Sequence, residues 1–207
     1  MNQRRITTGP MPVRICSPDQ ARRDALRRGA CACIGAGLSA AGMGAAWANE
    51  TASQRPVAGD RLVLAGGDEA PRPLAPSDVP LGAKPVQVFP FDAAGGVVRD
   101  GSRLNKVLLV RLDPAGLDPA VRSRAADGVL AFSAVCTHQG CDVSEWNEAE
   151  RALLCFCHFS RFDPARLGQV IAGPATRSLP NLPLKVDSGL LTVAGAFSAA
   201  PGAKASG

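Results

Sequence analysis

The 207-residue chain contains no tyrosine and only two histidines, and its aromatic content is just 4%. With two imidazoles in all, a centre that uses both leaves none for another, so a protein carrying several histidine-built sites is excluded. Charge of one sign is also missing over most of the length. The formal net charge is +5, but residues 1–48 hold seven Arg against two acidic residues, whereas residues 49–207 hold sixteen Lys plus Arg against sixteen Asp plus Glu. A neutral remainder offers no basic stripe to displace counterions, which excludes nucleic acid as a partner. No internal repeat is visible.

The basic excess belongs to a leader. Ala21-Arg22-Arg23-Asp24-Ala25-Leu26-Arg27 carries paired arginines, an uncharged stretch runs from Gly29 to Asn49, and Ala46-Trp47-Ala48 supplies a small-x-small cleavage site. The segment resembles a twin-arginine export signal, a route used by proteins already folded around a cofactor. Its 21 uncharged residues are long enough to span a bilayer, yet they hold five Gly and eight Ala, with Ile34, Leu38, Met43 and Trp47 as the large apolar side chains. That composition favours removal after Ala48, with retention of residues 29–49 as an N-terminal membrane anchor as the other outcome. Cys16, Cys31 and Cys33 lie in this leader and have no expected role in the mature protein.

Residues 49–79 are rich in Pro, Ala, Gly and charge, and are expected to form an extended linker or hinge without a helix. The apolar runs that follow are short and strand-like: Val86–Phe91, Val107–Leu112, Val129–Val135, Ala152–Phe156, Leu182–Val186 and Leu190–Ala194. Pro183 places the fifth at a sheet edge. Asp118-Pro119 could start one short helix through about Ala126. The pattern predicts an all-β domain over 80–197 and a disordered tail over 198–207.

Both histidines and four of the seven cysteines fall in two boxes, Cys136-Thr-His138-Gln-Gly-Cys141 and, thirteen residues later, Cys155-Phe-Cys157-His158-Phe-Ser160. Two thiolates and two imidazoles suit iron and sulfur, with one cysteine to spare in each box. A pair of structural disulfides would explain an even cysteine count but not the placing of both histidines. A structural zinc site could use four such ligands, although zinc fingers usually pair two Cys and then two His, whereas each box here mixes the types. A thiol oxidoreductase built on Cys155 and Cys157 would leave Cys136, His138 and Cys141 without purpose. A zinc-binding or disulfide-stabilised exported module without a redox role remains the alternative.

The two boxes resemble those of Rieske iron–sulfur proteins, and the resemblance extends over roughly Val79–Phe197. It implies an antiparallel β sandwich with a small cluster-binding subdomain at about 133–178, and a 2Fe-2S cluster as cofactor. By the same resemblance, Cys136 and Cys155 would hold the inner iron, His138 and His158 the outer iron, and Cys141 and Cys157 would form a disulfide between the loops. Ser160 matches a family serine that donates to a bridging sulfide and raises the potential. Two residues on, high-potential members carry a tyrosine that donates to a ligand sulfur, and this chain has Phe162. Gly173-Pro174-Ala175-Thr176 resembles the proline loop that covers the cluster.

The function so implied is that of an electron-transfer subunit, not catalytic alone, within a respiratory or periplasmic oxidoreductase. Two assemblies compete. A cytochrome bc complex would pair it with a quinol-oxidising cytochrome b and would want a retained anchor, a hinge and an apolar tip. A complex like arsenite oxidase would pair it with a molybdenum subunit and fits Gln139, Phe162, Thr176, Leu179 and Pro180. Either would pass electrons to a c-type cytochrome on the periplasmic side of a bacterial inner membrane. A Rieske-type oxygenase is excluded, because its catalytic iron needs two further histidines.

Overall fold

The computed structural model describes residues 50–66 and 70–204. The leader at 1–48 lies outside the described residues, as does the whole 29–49 run; no described helix is long and apolar enough to cross a membrane.

Among the described residues, twelve strands form two antiparallel sheets. The larger contains β1 (Arg61–Leu64), β2 (Val86–Asp92), β3 (Val97–Val98), β4 (Val107–Arg111), β5 (Val129–Ser133), β10 (Asn181–Leu182), β11 (Leu184–Asp187) and β12 (Leu190–Val193). Its order is β10-β5-β4-β2-β1-β12-β11, with β3 paired to β2. Strands β10 and β11 stand at opposite ends of that order yet are separated only by Pro183, so the sheet curls until its ends nearly meet. Pro183 has no N–H to give a ladder, which is why the predicted strand 182–186 breaks there. As expected, β11 is an edge strand.

The smaller sheet holds β6 (Glu145–Asn147), β7 (Ala152–Cys155), β8 (Ser160–Asp163) and β9 (Gln169–Ala172), in sequence order. It covers one face of the larger sheet, and this explains the unbroken apolar runs of β4 and β5. Val107, Leu109, Val129 and Ala131 point into the curled sheet with Leu62, Leu74 and Leu191. Leu108, Val110, Leu130 and Phe132 point the other way, into a second core shared with Cys136, Leu153, Cys155, Phe162 and Leu179. A strand buried on both faces shows no alternation.

Three expectations need correction. Residues 49–79 are not a free hinge. Residues 50–53 are helical, β1 pairs with both β2 and β12, and Leu74 and Val79 are buried. The Arg99 guanidinium donates to both carboxylate oxygens of Asp60, at 2.7 and 3.0 Å, and to Thr51 O and Gln54 Oε1. Asn105 Nδ2 donates to Gln54 O at 2.7 Å. The Asp60 hydrogen bond, above all, holds the Arg99 guanidinium in its charged form. Pro-rich composition suggests an extended linker, whereas Arg61–Leu64 is a paired strand and Pro76–Asp78 a 3-10 turn within the fold.

The helix expected from Asp118 to about Ala126 spans only Pro119–Arg122, and Asp118 makes no side-chain cap. The tail is not disordered through residue 204. Ser198 N–H donates to Asn181 O at 2.8 Å, Asn181 N–H donates to Ser198 Oγ at 3.0 Å, and Gly202 is buried. Small residues with no apolar pattern concealed this, because backbone groups make the attachment.

Candidate metal centre

Three loops converge at one end of the small sheet. The first leaves β5 and carries Cys136 to Cys141. Cys136 N–H donates to Cys141 O at 2.8 Å and Gly140 N–H to Cys136 O at 3.0 Å, so the box folds into a tight turn with Gly140 at φ +78°. Arg103 braces it from outside by donating to Gly140 O at 2.7 Å and to Asp142 Oδ1 at 2.6 Å. Burial acts to raise the Asp142 carboxyl, but the Arg103 hydrogen bond and the nearby Arg103 and Lys106 charges outweigh it and hold it below its ordinary value.

The second loop is the hairpin between β7 and β8. Cys155 and Ser160 face each other in register, leaving Phe156, Cys157, His158 and Phe159 as the connection. Phe159 closes the turn at φ +58°, a conformation that favours glycine. The third loop runs from Gly173 to Arg177 and lies against the second. A Cβ on Gly173 would sit 2.5 Å from Ser160 Cα and 2.7 Å from Phe159 O, so only glycine allows this approach.

These loops bring together the residues expected from sequence. Cys136 and Cys155 are free thiols, each 1% exposed, at the floor of the site. His138 is half-buried and His158 exposed, and their rings meet edge-on with centroids 4.7 Å apart. Cys141 and Cys157 form a disulfide with a Cα–Cα distance of 6.5 Å, joining the first two loops. The Cys155 sulfur lies within 4.8 Å of both disulfide sulfurs, but those two are spent on each other and cannot ligate an ion.

The donor set fits a metal cluster rather than a bare pair of thiols. Burial pushes the Cys136 thiol up, and the adjacent Cys155 adds to that; the His138 amide and the Ser160 hydroxyl act in the opposite sense. Burial disfavours the anion of this sulfur, and a cationic metal would favour it. His138 Nδ1 is buried and has no hydrogen-bond partner. A buried ring nitrogen without a partner is costly unless something takes its lone pair. Ser160 Oγ accepts from Ala175 N–H at 3.2 Å, which leaves the hydroxyl proton free to point toward sulfur.

The Rieske [2Fe-2S] domain family matches residues 77–183, more than half of the chain. The chain belongs to the Rieske family. Its cofactor is a 2Fe-2S cluster. Among similar curated proteins, a provisionally named respiratory nitrate reductase Rieske subunit of Haloferax mediterranei is 42% identical over 102 residues, covering 48% of this chain and 46% of that protein. The cytochrome bc1 complex Rieske iron-sulfur subunit of Mycobacterium bovis is 32% identical over 141 residues, covering 60% of this chain and 33% of that protein. The chain thus spans less than half the length of each of these relatives. The soluble domain of Rieske protein II from Sulfolobus acidocaldarius superposes with a TM-score of 0.35 at 26% identity, over 45% of this chain and 65% of that one.

Sequence reasoning missed residues that hold the Rieske loops in place. The Thr137 hydroxyl donates to Arg177 O at 2.7 Å, tying the first loop to the third. Arg103 lies over thirty residues from either box. The position of Thr137 between Cys136 and His138 was a usable signal, whereas nothing local marks Arg103 or Arg177. Phe156 and Phe159, 63% and 60% exposed, flank Cys157-His158 with ring centroids 5.5 Å apart.

Proposed function

We propose that this Rieske protein is a single-electron carrier, a subunit of an exported respiratory or periplasmic oxidoreductase complex. Cys136 and Cys155 are its inner-iron ligands, and His138 and His158 its outer-iron ligands. The observation that carries this reading is the polarity of the site: both thiols are buried at its floor and His158 is exposed at its tip. When bound, a 2Fe-2S cluster with two imidazoles on one iron accepts and releases one electron at roughly −150 to +300 mV. The buried cysteines keep water from the inner side. The two imidazoles lie toward the surface by which a donor or acceptor approaches. Ser160 supplies a hydrogen bond that favours the reduced state.

Metal and sulfide analysis tests the ligand set. The native protein is expected to hold about two iron and two acid-labile sulfide per chain, and replacement of Cys136, His138, Cys155 or His158 by Ala is expected to remove them. Stoichiometric zinc, or a protein that takes up no electron, would favour the structural-module alternative.

The observed packing bears on the choice of assembly. A long hinge was the feature that favoured a quinol-oxidising bc-type complex, and residues 50–66 are bound into the fold through β1, Asp60 and Arg99. This supports a carrier held in fixed geometry, as in a complex resembling arsenite oxidase with a molybdenum subunit. The bc1 names of several relatives support the other assembly. Either reading places the protein on the periplasmic side, with a c-type cytochrome as electron acceptor.

A further inference from the structure

Three hydrogen bonds form a continuous path from the chain's C-terminal segment to the cluster site. Gly202 is buried, with φ at +85°; a Cβ there would come within 3.3 Å of Leu104 Cδ2 and 3.6 Å of Val135 Cγ1. Its carbonyl accepts from Arg177 Nη2 at 2.6 Å. The Arg177 carbonyl accepts from the Thr137 hydroxyl at 2.7 Å, and Thr137 is itself 5% exposed between Cys136 and His138. Two residues before Arg177, the Ala175 amide donates to Ser160 Oγ at 3.2 Å.

We propose that residues 198–204 act as a strap that seats Arg177, and that Arg177 is a positioning residue holding the covering loop 173–177 over the metal centre. The proposal rests on the reading of that centre as a Rieske site. The strap is attached at Ser198 and at Gly202. Ser198 exchanges two hydrogen bonds with Asn181 of β10, and Gly202 is buried with no room to spare for a side chain beside Leu104. Among the described residues, Gly202 O is the one hydrogen-bond partner of the Arg177 guanidinium. Without it, the half-buried guanidinium loses its tie to the strap, and the loop that it stiffens bears on both sides of the site: Thr137 on the first loop, Ser160 on the second. Hydrogen bonds with a charged donor are among the stronger ones, so loss of this one is expected to be felt.

The experiment compares native protein with Arg177→Met, Arg177→Lys and Gly202→Val, all as full-length, metallated chains. Arg177→Met keeps the aliphatic stem and removes the donors. Gly202→Val puts a branched side chain where the strap lies against Leu104. The expected result is a rate of cluster loss, followed by bleaching of visible absorbance in the presence of a chelator, raised about ten-fold in Arg177→Met and Gly202→Val. Arg177→Lys, which can still donate to Gly202 O, recovers part of the native rate. Hydrogen exchange at the Ala175 amide is expected to quicken in the same two variants, while exchange in β4 and β5 stays native. Native cluster retention and native Ala175 exchange in Arg177→Met would overturn the strap, as would a rise in cluster loss matched by equal loosening of β4 and β5. Failure of the Rieske reading looks different: the native chain itself would then show no cluster, while Ala175 exchange would still report on the strap.

Discussion

Phe159 carries a benzyl side chain at φ +58°, and its ring is 60% exposed. The backbone conformation disfavours any residue with a Cβ by about 1 kcal/mol. Phe159→Gly is expected to stabilise the protein by about 0.5 kcal/mol after allowing for the lost contact with Phe156, as measured by urea unfolding. Destabilisation would mean that the ring packs more firmly than its exposure indicates. Phe162 is the opposite case, fully buried in the core that also holds Cys136 and Cys155. Phe162→Tyr would add a donor in the core that holds Cys136 and Cys155, and one bond of about 1 kcal/mol to a proposed ligand sulfur corresponds to a rise on the order of tens of millivolts for one electron. Redox titration of the variant decides this: an unchanged or lower midpoint contradicts the tuning role given to this position. The two Cys and His boxes were legible at this scale because their chemistry is rare and their spacing specific. Thr137, Arg103 and Arg177 were not, since a hydroxyl and two guanidiniums acquire meaning only from what lies opposite them.

Among the elements, the segment before β2 departs most from its expected behaviour. Arg99 and Asp60 are each 3% exposed, and Arg99 also grips Thr51 and Gln54. Arg99→Met leaves a buried carboxylate unpaired and is expected to cost about 3 kcal/mol or more in urea unfolding. A loss under about 1 kcal/mol would show that water reaches Asp60 and that the segment is loosely held. The long apolar strands β2, β4, β5, β7 and β12 could be read from composition, because hydrophobic runs of that length have few other uses. Strands β6, β8 and β9 could not. Their sequences, Glu145-Trp-Asn147, Ser160-Arg-Phe-Asp163 and Gln169-Val-Ile-Ala172, carry polar or exposed residues, since β8 buries only one face and β6 and β9 bury no residue fully. Likewise β1 was hidden by its Pro- and Gly-rich surroundings, and the tail by attachments made through backbone carbonyls.

At the scale of the whole molecule, a nearly closed sheet carries a smaller one, and three loops meet at its end. The disulfide between Cys141 and Cys157 joins two of those loops, and the Thr137 to Arg177 hydrogen bond joins the third. An oxidising compartment suits that disulfide. If the leader is removed after Ala48, mass spectrometry of the mature protein is expected to find Asn49 at its N-terminus; an intact leader would instead support an anchored subunit. The central claim is that one cluster sits among Cys136, Cys155, His138 and His158. Electron–nuclear double resonance on the reduced protein, labelled with 15N-histidine, tests it most directly. Two histidine nitrogens coupled to a reduced 2Fe-2S cluster are predicted, and a fully metallated protein showing no such cluster, or one with no nitrogen coupling, would contradict the account.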